Sequence, residues 1–213
     1  QMHADVKHYV STCRSCQLAK GTNPATMGLL KGQTHQHVLH TLCMDLVGPI
    51  RQDCGTDELY VLVMVDPFTH FWWLELIQTK HAEQVFHAFV RRVLLEEGAP
   101  RIIHTDNGSE FKNELFKKFA ELCHVVFQYS PPMHPCSNQA ERHNRTLVET
   151  LRLCVNEPAA RKRDWHRFIK FIEFAYRRQP IPGTDVTPYM LMRGREPLLP
   201  HDVAFTDLHL PQK

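Results

Sequence analysis

The stretch Leu59-Tyr60-Val61-Leu62-Val63-Met64-Val65-Asp66-Pro67-Phe68-Thr69-His70-Phe71-Trp72-Trp73-Leu74-Glu75-Leu76 decides the fold. Leu59–Val65 is apolar without interruption and rich in Val, as expected of a central strand covered on both faces. Asp66-Pro67 turns the chain. His70–Leu76 is aromatic-rich and fits a strand paired back on the first as a hairpin. Its Trp72 and Trp73 belong in the core.

Upstream, Thr41–Val47 is a short apolar strand with Gly48-Pro49 as its stop signal. Downstream, residues 80–97 set Ala82, Val85, Phe86, Phe89, Val93 and Leu94 at helical spacing, and Gly98 ends that helix. Arg101–His104 is a fourth strand, closed by Thr105-Asp106-Asn107-Gly108. Ser109 is placed to cap a helix through Cys123, with Phe111, Leu115, Phe119 and Leu122 inward. Val125–Tyr129 is a fifth strand, and Ser130–Ser137, with three prolines, is a loop. Asn138 caps a long helix to about Asn156, with Glu141 completing an Asn variant of the capping box. Pro158 breaks the chain, Trp165–Arg177 is a further helix, and the proline-rich chain after Pro180 wraps the surface. The expected class is α/β: a mixed five-stranded sheet flanked by helices, antiparallel in its opening hairpins and parallel between strands four and five.

The 213 residues suffice for one sizeable domain with short appendages, and 43% hydrophobic residues provide a core. No apolar run approaches the roughly 18–20 residues of a membrane span, so no membrane partner is expected. No secretory signal opens the chain, and a start at Gln1 suits a fragment or an excised domain. The net charge of +2 says little, but Glu141–Arg178 holds ten Lys/Arg against five Asp/Glu. Such a segment suits phosphates, and a solvated helical face explains it equally well. Seven scattered cysteines argue for a reducing compartment, with Cys43, Cys123 and Cys154 as core packing. A helix from Ala4 to Val10 leads into the Cys13-Arg14-Ser15-Cys16 knuckle, and residues 21–37 read as a linker.

Three acids stand at the ends of elements. Asp45 lies inside an apolar strand, Asp106 follows the fourth strand, and Glu141 opens a helix. An acid within an apolar strand is costly unless paired or metal-bound. Hard divalent ions take carboxylate oxygens, and two such ions can activate an attacking oxygen and stabilise a leaving one. Singly, each acid has an ordinary explanation: a buried ion pair, a turn former before Asn107-Gly108, and a first-turn acid favoured by the helix dipole.

Four motifs carry a family likeness: Met44-Asp45-Leu46-Val47-Gly48-Pro49-Ile50, Val63-Met64-Val65-Asp66-Pro67-Phe68-Thr69, His104-Thr105-Asp106-Asn107-Gly108-Ser109-Glu110-Phe111, and His134-Pro135-Cys136-Ser137-Asn138-Gln139-Ala140-Glu141-Arg142-His143-Asn144-Arg145-Thr146-Leu147. They resemble the catalytic core of gypsy-type retrotransposon and retroviral integrases, as does Thr187-Pro188-Tyr189 through Gly194-Arg195-Glu196-Pro197. The resemblance implies an RNase H-like fold in which Asp45, Asp106 and Glu141 hold two Mg²⁺ or Mn²⁺ ions. The implied chemistry trims the 3′ ends of an element and joins them to target DNA. It also implies DNA as partner, a homo-oligomeric functional state, and action in the nucleus after passage through the cytoplasm. Cys13 and Cys16 match the cysteine half of a His-His-Cys-Cys domain, which implies Zn²⁺ in the full-length protein and a partial site here. The implied organisation is residues 1–20 from that zinc domain, 21–37 linker, 38–200 catalytic core and 201–213 tail. Asn144 and Arg145, one turn after Glu141, and Asn107 are the candidate DNA contacts. A Glu141–Arg145 ion pair is the competing reading of Arg145.

The chain departs from the family pattern at one place. Residues 107–140, between the last two acids, are one fewer than usual. Asn138-Gln139 stands where Asn-Gly is common and Cys136 where glutamine is common. The shorter loop either rotates Glu141 or tightens its turn. Two other readings follow from these residues: a host-domesticated, catalytically inactive nucleic-acid-binding or interaction module, and another nuclease on the same fold.

Overall fold

In a computed structural model, which describes residues 2–13, 37–51, 58–130, 145–150 and 165–198, the apolar run becomes the interior strand β2 (Glu58–Asp66). It pairs antiparallel with β1 (Thr41–Arg51) on one side and β3 (Phe71–Ile77) on the other. Val61 to Val65 are fully buried, because alternate side chains enter different cores. Leu62 and Met64 join Leu42, Met44, Phe71 and Trp73 on one face. Val61, Val63 and Val65 join Trp72 and Leu74 on the other. The hairpin turn is held by Asp66, whose carboxylate accepts from Thr69 Oγ1 at 2.7 Å and from the backbone N–H groups of Phe68 and Thr69.

The sheet order is β3-β2-β1-β4-β5, with β4 (Ile102–Thr105) parallel to β1 and to β5 (Val126–Tyr129). Helices cover both faces as the alternation of elements requires. The first face carries α2 (Ala82–Phe89), a π-helical turn Val90–Leu94, a helical turn Leu95–Glu97, and α3 (Glu114–Cys123). Val85, Phe89, Val93, Phe116 and Phe119 meet the sheet there. The second face carries helical residues 145–150 through Leu147, and α4 (Trp165–Arg177) through Trp165, Ile169 and Ile172. Burying each such side chain is worth roughly 1.5–3 kcal/mol. An N-terminal helix α1 (Met2–Thr12) and a short α5 (Pro188–Arg193) complete the described elements. No helix among the described residues is long and apolar enough to cross a membrane.

β3 is an outer strand, and α4 satisfies its outward backbone groups. Glu173 Oε2 accepts from Leu74 N at 2.7 Å, Lys170 Nζ donates to Leu74 O at 2.5 Å, and Arg177 Nε donates to Trp72 O at 2.7 Å. Tyr176 stacks on Trp72 at 3.6 Å. Glu173 is buried, and its Oε1 also takes Arg92 and Arg177, each at 2.7 Å. Burial opposes the charge on Arg92, but Glu173, Glu96 and Glu75 outweigh it and raise its pKa. Burial pushes Arg177 down to about 10 against the pull of Glu173, so both guanidiniums stay charged at neutral pH. Lys170 and Arg177, two cations of the basic segment, thus serve the fold.

Several boundaries differ from the sequence reading. β1 does not stop at Gly48-Pro49; its register shifts between Val47 and Ile50 and pairing resumes to Arg51. A bulge accommodates Pro in a strand. Gly48 sits at φ +143°, where a Cβ would fall 2.8 Å from Tyr60 Cδ1. α3 begins at Glu114, not at Ser109, because Asn113 is the cap: its Oδ1 accepts from Leu115 N and Phe116 N. Leu122 is exposed, since each three-residue step from Phe116 through Phe119 turns about 60° further off the apolar face. Cys123, expected in the core, is exposed at the last turn, whereas Cys43 is buried. Within the proline-rich chain after Pro180, where the sequence predicts only surface-wrapping chain, Pro188–Arg193 forms α5. Thr187 caps it by accepting from Met190 N, and Pro188 suits its first turn. The linker 21–36, the loop 131–137, residues 138–144 and 151–156 of the long helix, Cys154, Pro158 and the tail 201–213 lie outside the described residues.

Glu173→Ala removes the acceptor of Leu74 N, Arg92 and Arg177 at once. The expected loss is about 3–5 kcal/mol, as for one partner of a buried charge cluster, read by urea denaturation. A loss under about 1 kcal/mol would mean that the cluster counts no more than a surface pair.

Candidate metal and nucleic-acid site

β1 and β4 run parallel in the register Thr41↔Ile102, Leu42↔Ile103, Cys43↔His104. Two further residues along both chains bring Asp45 beside Asp106, on the same side of the sheet because side chains alternate with period two. Asp45 also stands opposite Val63, on the face covered by Leu147 and α4. It is half-buried, and its Oδ1 accepts from Leu46 N at 2.8 Å. Asp106 lies just past β4 and is exposed; its Oδ1 accepts from Gly108 N at 2.9 Å, a turn closed by the aspartate itself.

The next strand is tied to that turn. Thr105 pairs with Tyr129, and Ser130 N donates to Thr105 O at 2.9 Å. Asn107 Nδ2 donates to Ser130 O at 2.7 Å. Asn107 therefore clamps the end of β5 to the turn that presents Asp106. Lys112 N donates to Gly108 O at 2.9 Å, which closes the same turn on its far side. Lys112 Nζ sits 5.5 Å from the centre of the Tyr129 ring. Burial raises the Tyr129 phenol above its ordinary pKa, so it stays a neutral hydroxyl at neutral pH. The sequence reading passed over both residues. Their only sequence signal is that Tyr129 ends the strand beside the one leading to Asp106.

Two adjacent carboxylates repel unless a cation or a proton lies between them. Hard oxygens at the open carboxyl ends of two parallel strands fit a divalent cation that uses one or two carboxylates and keeps waters. Among the described residues no group of three or more His, Cys, Asp or Glu converges on a common point. Glu141, the third acid, lies outside the described residues, as do Asn144 and Cys16. Helical residues 145–150 lie on the sheet face of Asp45, with Leu147 buried and Arg145 exposed. Cys13 is half-buried at the end of α1 and lies in a different part of the chain from the two aspartates.

The family model described as "Integrase core domain" matches residues 35–135. The Pro-Pol polyprotein of feline foamy virus is 28% identical over 208 residues, covering 94% of this chain and 17% of the polyprotein. The transposon Tf2-3 polyprotein of Schizosaccharomyces pombe is 28% identical over 198 residues, covering 91% of this chain and 14% of the polyprotein. The chain thus spans about one-sixth of the length of these relatives. Among solved structures, the HTLV-2 integrase catalytic core domain in complex with magnesium superposes with a TM-score of 0.55 at 18% identity, over 73% of this chain and 97% of that one. The simian T-cell lymphotropic virus intasome in complex with PP2A regulatory subunit B56 gamma does so with a TM-score of 0.66 at 14% identity, over 92% of this chain and 68% of that one. These likenesses establish the RNase H-like fold of integrase cores.

Asn107→Ala separates a structural amide from one that serves only a ligand. Loss of the Ser130 bond is expected to cost about 1 kcal/mol in the protein alone, measured by urea denaturation. Unchanged stability would leave Asn107 no part in holding the turn.

Proposed function

We propose that the chain, whose residues 35–135 match the family model described as "Integrase core domain", is the catalytic part of a retroelement integrase, a polynucleotidyl transferase acting on DNA. The observation that carries the reading is the β1/β4 register, which sets Asp45 beside Asp106 at the open end of the sheet. Asp45, Asp106 and Glu141 would hold Mg²⁺ or Mn²⁺. When bound, two such ions make a neutral-pH nucleophile of a water or a 3′-hydroxyl and offset charge on the leaving oxygen.

The protein's own contribution is placement. In end trimming, a water oxygen forms a bond to phosphorus and the P–O3′ bond breaks, leaving a 3′-hydroxyl. In joining, that hydroxyl attacks a target phosphodiester, and the target strand departs with its own 3′-hydroxyl. Both steps need the phosphate held in line, which fixed carboxylates on adjacent strands provide better than loop residues would. The Leu46 and Gly108 N–H groups, each bonded to one carboxylate oxygen, keep the two aspartates in their rotamers. Asn144 and Arg145 are proposed to contact DNA phosphates. Asn107 is proposed to contact DNA as well as clamp the turn. In the full-length protein, Cys13 and Cys16 are proposed as half of a zinc site. The working form is proposed to be a homo-oligomer acting in the nucleus.

The test is cleavage and joining of labelled DNA ends by the full-length protein with Mg²⁺ or Mn²⁺. Asp45→Asn and Asp106→Asn are each expected to lower the rate by about 10²–10³-fold, the range seen when a principal electrostatic group is removed, while DNA binding persists. DNA binding with no turnover in the unaltered protein would instead mark an inactive binding module.

A further inference from the structure

We propose that Lys112 and Tyr129 form a nucleotide platform at the carboxyl end of the sheet, around the rim from the two aspartates, which takes an unpaired DNA nucleotide with its phosphate on the ammonium and its base on the ring. The proposal rests on the DNA reading above and extends it to two residues outside the acidic set.

Two backbone bonds and one side-chain amide fix the platform relative to the turn that carries Asp106. Ser130 N to Thr105 O carries β5 alongside the strand that delivers Asp106, and Asn107 Nδ2 to Ser130 O locks the end of β5 to the turn. Lys112 N to Gly108 O returns the chain over the same turn. As a result Tyr129, opposite Thr105, is one residue out of step with Asp106 on neighbouring strands, so its ring lies on the first face of the sheet and the aspartates on the second, at the same end. The two side chains approach each other at 5.5 Å, and both are exposed. Tyr129 is further supported by Phe127, which lies behind it at 6.1 Å with the rings 29° apart. Phe127 in turn meets Phe116 at 5.6 Å in the first core. The ring is thus braced from the protein side and accessible from the solvent side.

The chemistry of the pair suits one ligand class. An aromatic face stacks on any base, and an adjacent cation neutralises one backbone phosphate, the combination used for single strands without sequence preference. A paired duplex end offers its bases to each other, so the ring gains only from a nucleotide that is unpaired. The phenol is neutral at physiological pH and adds no repulsion toward phosphate.

The test uses the full chain and fluorescently labelled DNA in two forms, a blunt duplex and the same duplex with a short single-stranded overhang, in chelator so that no turnover occurs. Tyr129→Ala is expected to weaken binding of the overhang DNA by roughly tenfold, with the blunt duplex changed less than about twofold. Tyr129→Phe retains the overhang preference. Lys112→Ala is expected to flatten the log–log salt dependence by about 0.7–0.9, one phosphate's share, and Lys112→Arg to retain it. Circular dichroism melts confirm that the variants fold. Equal weakening of both DNAs by Tyr129→Ala, or no change in either with the unaltered protein binding normally, would overturn the platform and leave the DNA reading standing. Failure of the unaltered chain to bind either DNA would overturn the DNA reading and the platform with it.

Discussion

The parallel ladder between β1 and β4 is the constraint from which the site follows. Only three residue pairs define it, from Thr41↔Ile102 to Cys43↔His104. In a parallel register, residues equally far beyond the last pair in the same chain direction remain neighbours and point the same way, so two strand C-terminal ends are set side by side. Asp45 and Asp106, with sixty residues between them in the chain, are brought together by that rule. A slip of one residue would send one aspartate to the opposite face, among Met44, Leu62 and Phe71, where an ionised carboxylate is not tolerated. The apolar pattern of β1 and β4 therefore enforces the relative placement of the acids as strictly as it enforces the core.

That register is held because the rest of the sheet cannot shift. β2 is buried on both faces and bonded on both edges, so β1 has one strand to pair with on that side and one phase in which to do it. β3, at the outer edge, is sealed by α4 through Glu173, Lys170 and Arg177, which occupy the outward groups of Trp72 and Leu74. Covering an edge strand removes the template for pairing with another chain. Here the cover is ionic as well as apolar: Arg92 reaches Glu173 from the π-helical turn, so the two helical layers are joined around the rim of the sheet. The wider π turn lies where Arg91 and Arg92 both face acids, with Arg91 meeting Glu75.

Periodicity carried most of this fold in the sequence. The unbroken apolar run Leu59–Val65, the aromatic strand after Asp66-Pro67 and the helical spacing from Ala82 to Leu94 each commit to one element, because each buries a continuous apolar surface. Errors arose where a local hydrogen bond competes with pattern. Ser109 and Asn113 are both acceptable caps by composition. The turn from Gly108 to Asn113, with Asn113 Nδ2 on Glu110 O, decides for Asn113. Gly48-Pro49 reads as a stop, but a bulge lets the strand continue, and no one-dimensional pattern distinguishes the two. The site was legible as a set of acids and not as a geometry. Asp45 and Asp106 were marked by their motifs. That Asn107 clamps Ser130, or that Lys112 meets Tyr129, depends on a parallel pairing between distant segments.

The turn after β4 shows why polar residues cluster at this end of the sheet. A parallel strand that ends at the surface leaves its last carbonyls and the following N–H groups without ladder partners, and these must be satisfied locally. Asp106 does so with Gly108 N, Asn107 with Ser130 O, and Thr105 Oγ1 with the Asp106 carbonyl at 3.0 Å. Of the side chains that complete the backbone here, the Asp106 acid and the Asn107 amide leave oxygen or nitrogen atoms at an open rim. Those groups suit a metal ion or a phosphate. Structural need and chemical capacity thus coincide in Asp106 and Asn107, both exposed, whereas Thr105 is buried and serves the fold alone. A substitution at Asp106 tests both, whereas Asp45, one strand over and half-buried, has its short Oδ1 contact to the neighbouring Leu46 N and spans no turn. Comparing the stability of amide variants at the two positions accordingly separates what each acid does for the fold from what it does for the chemistry.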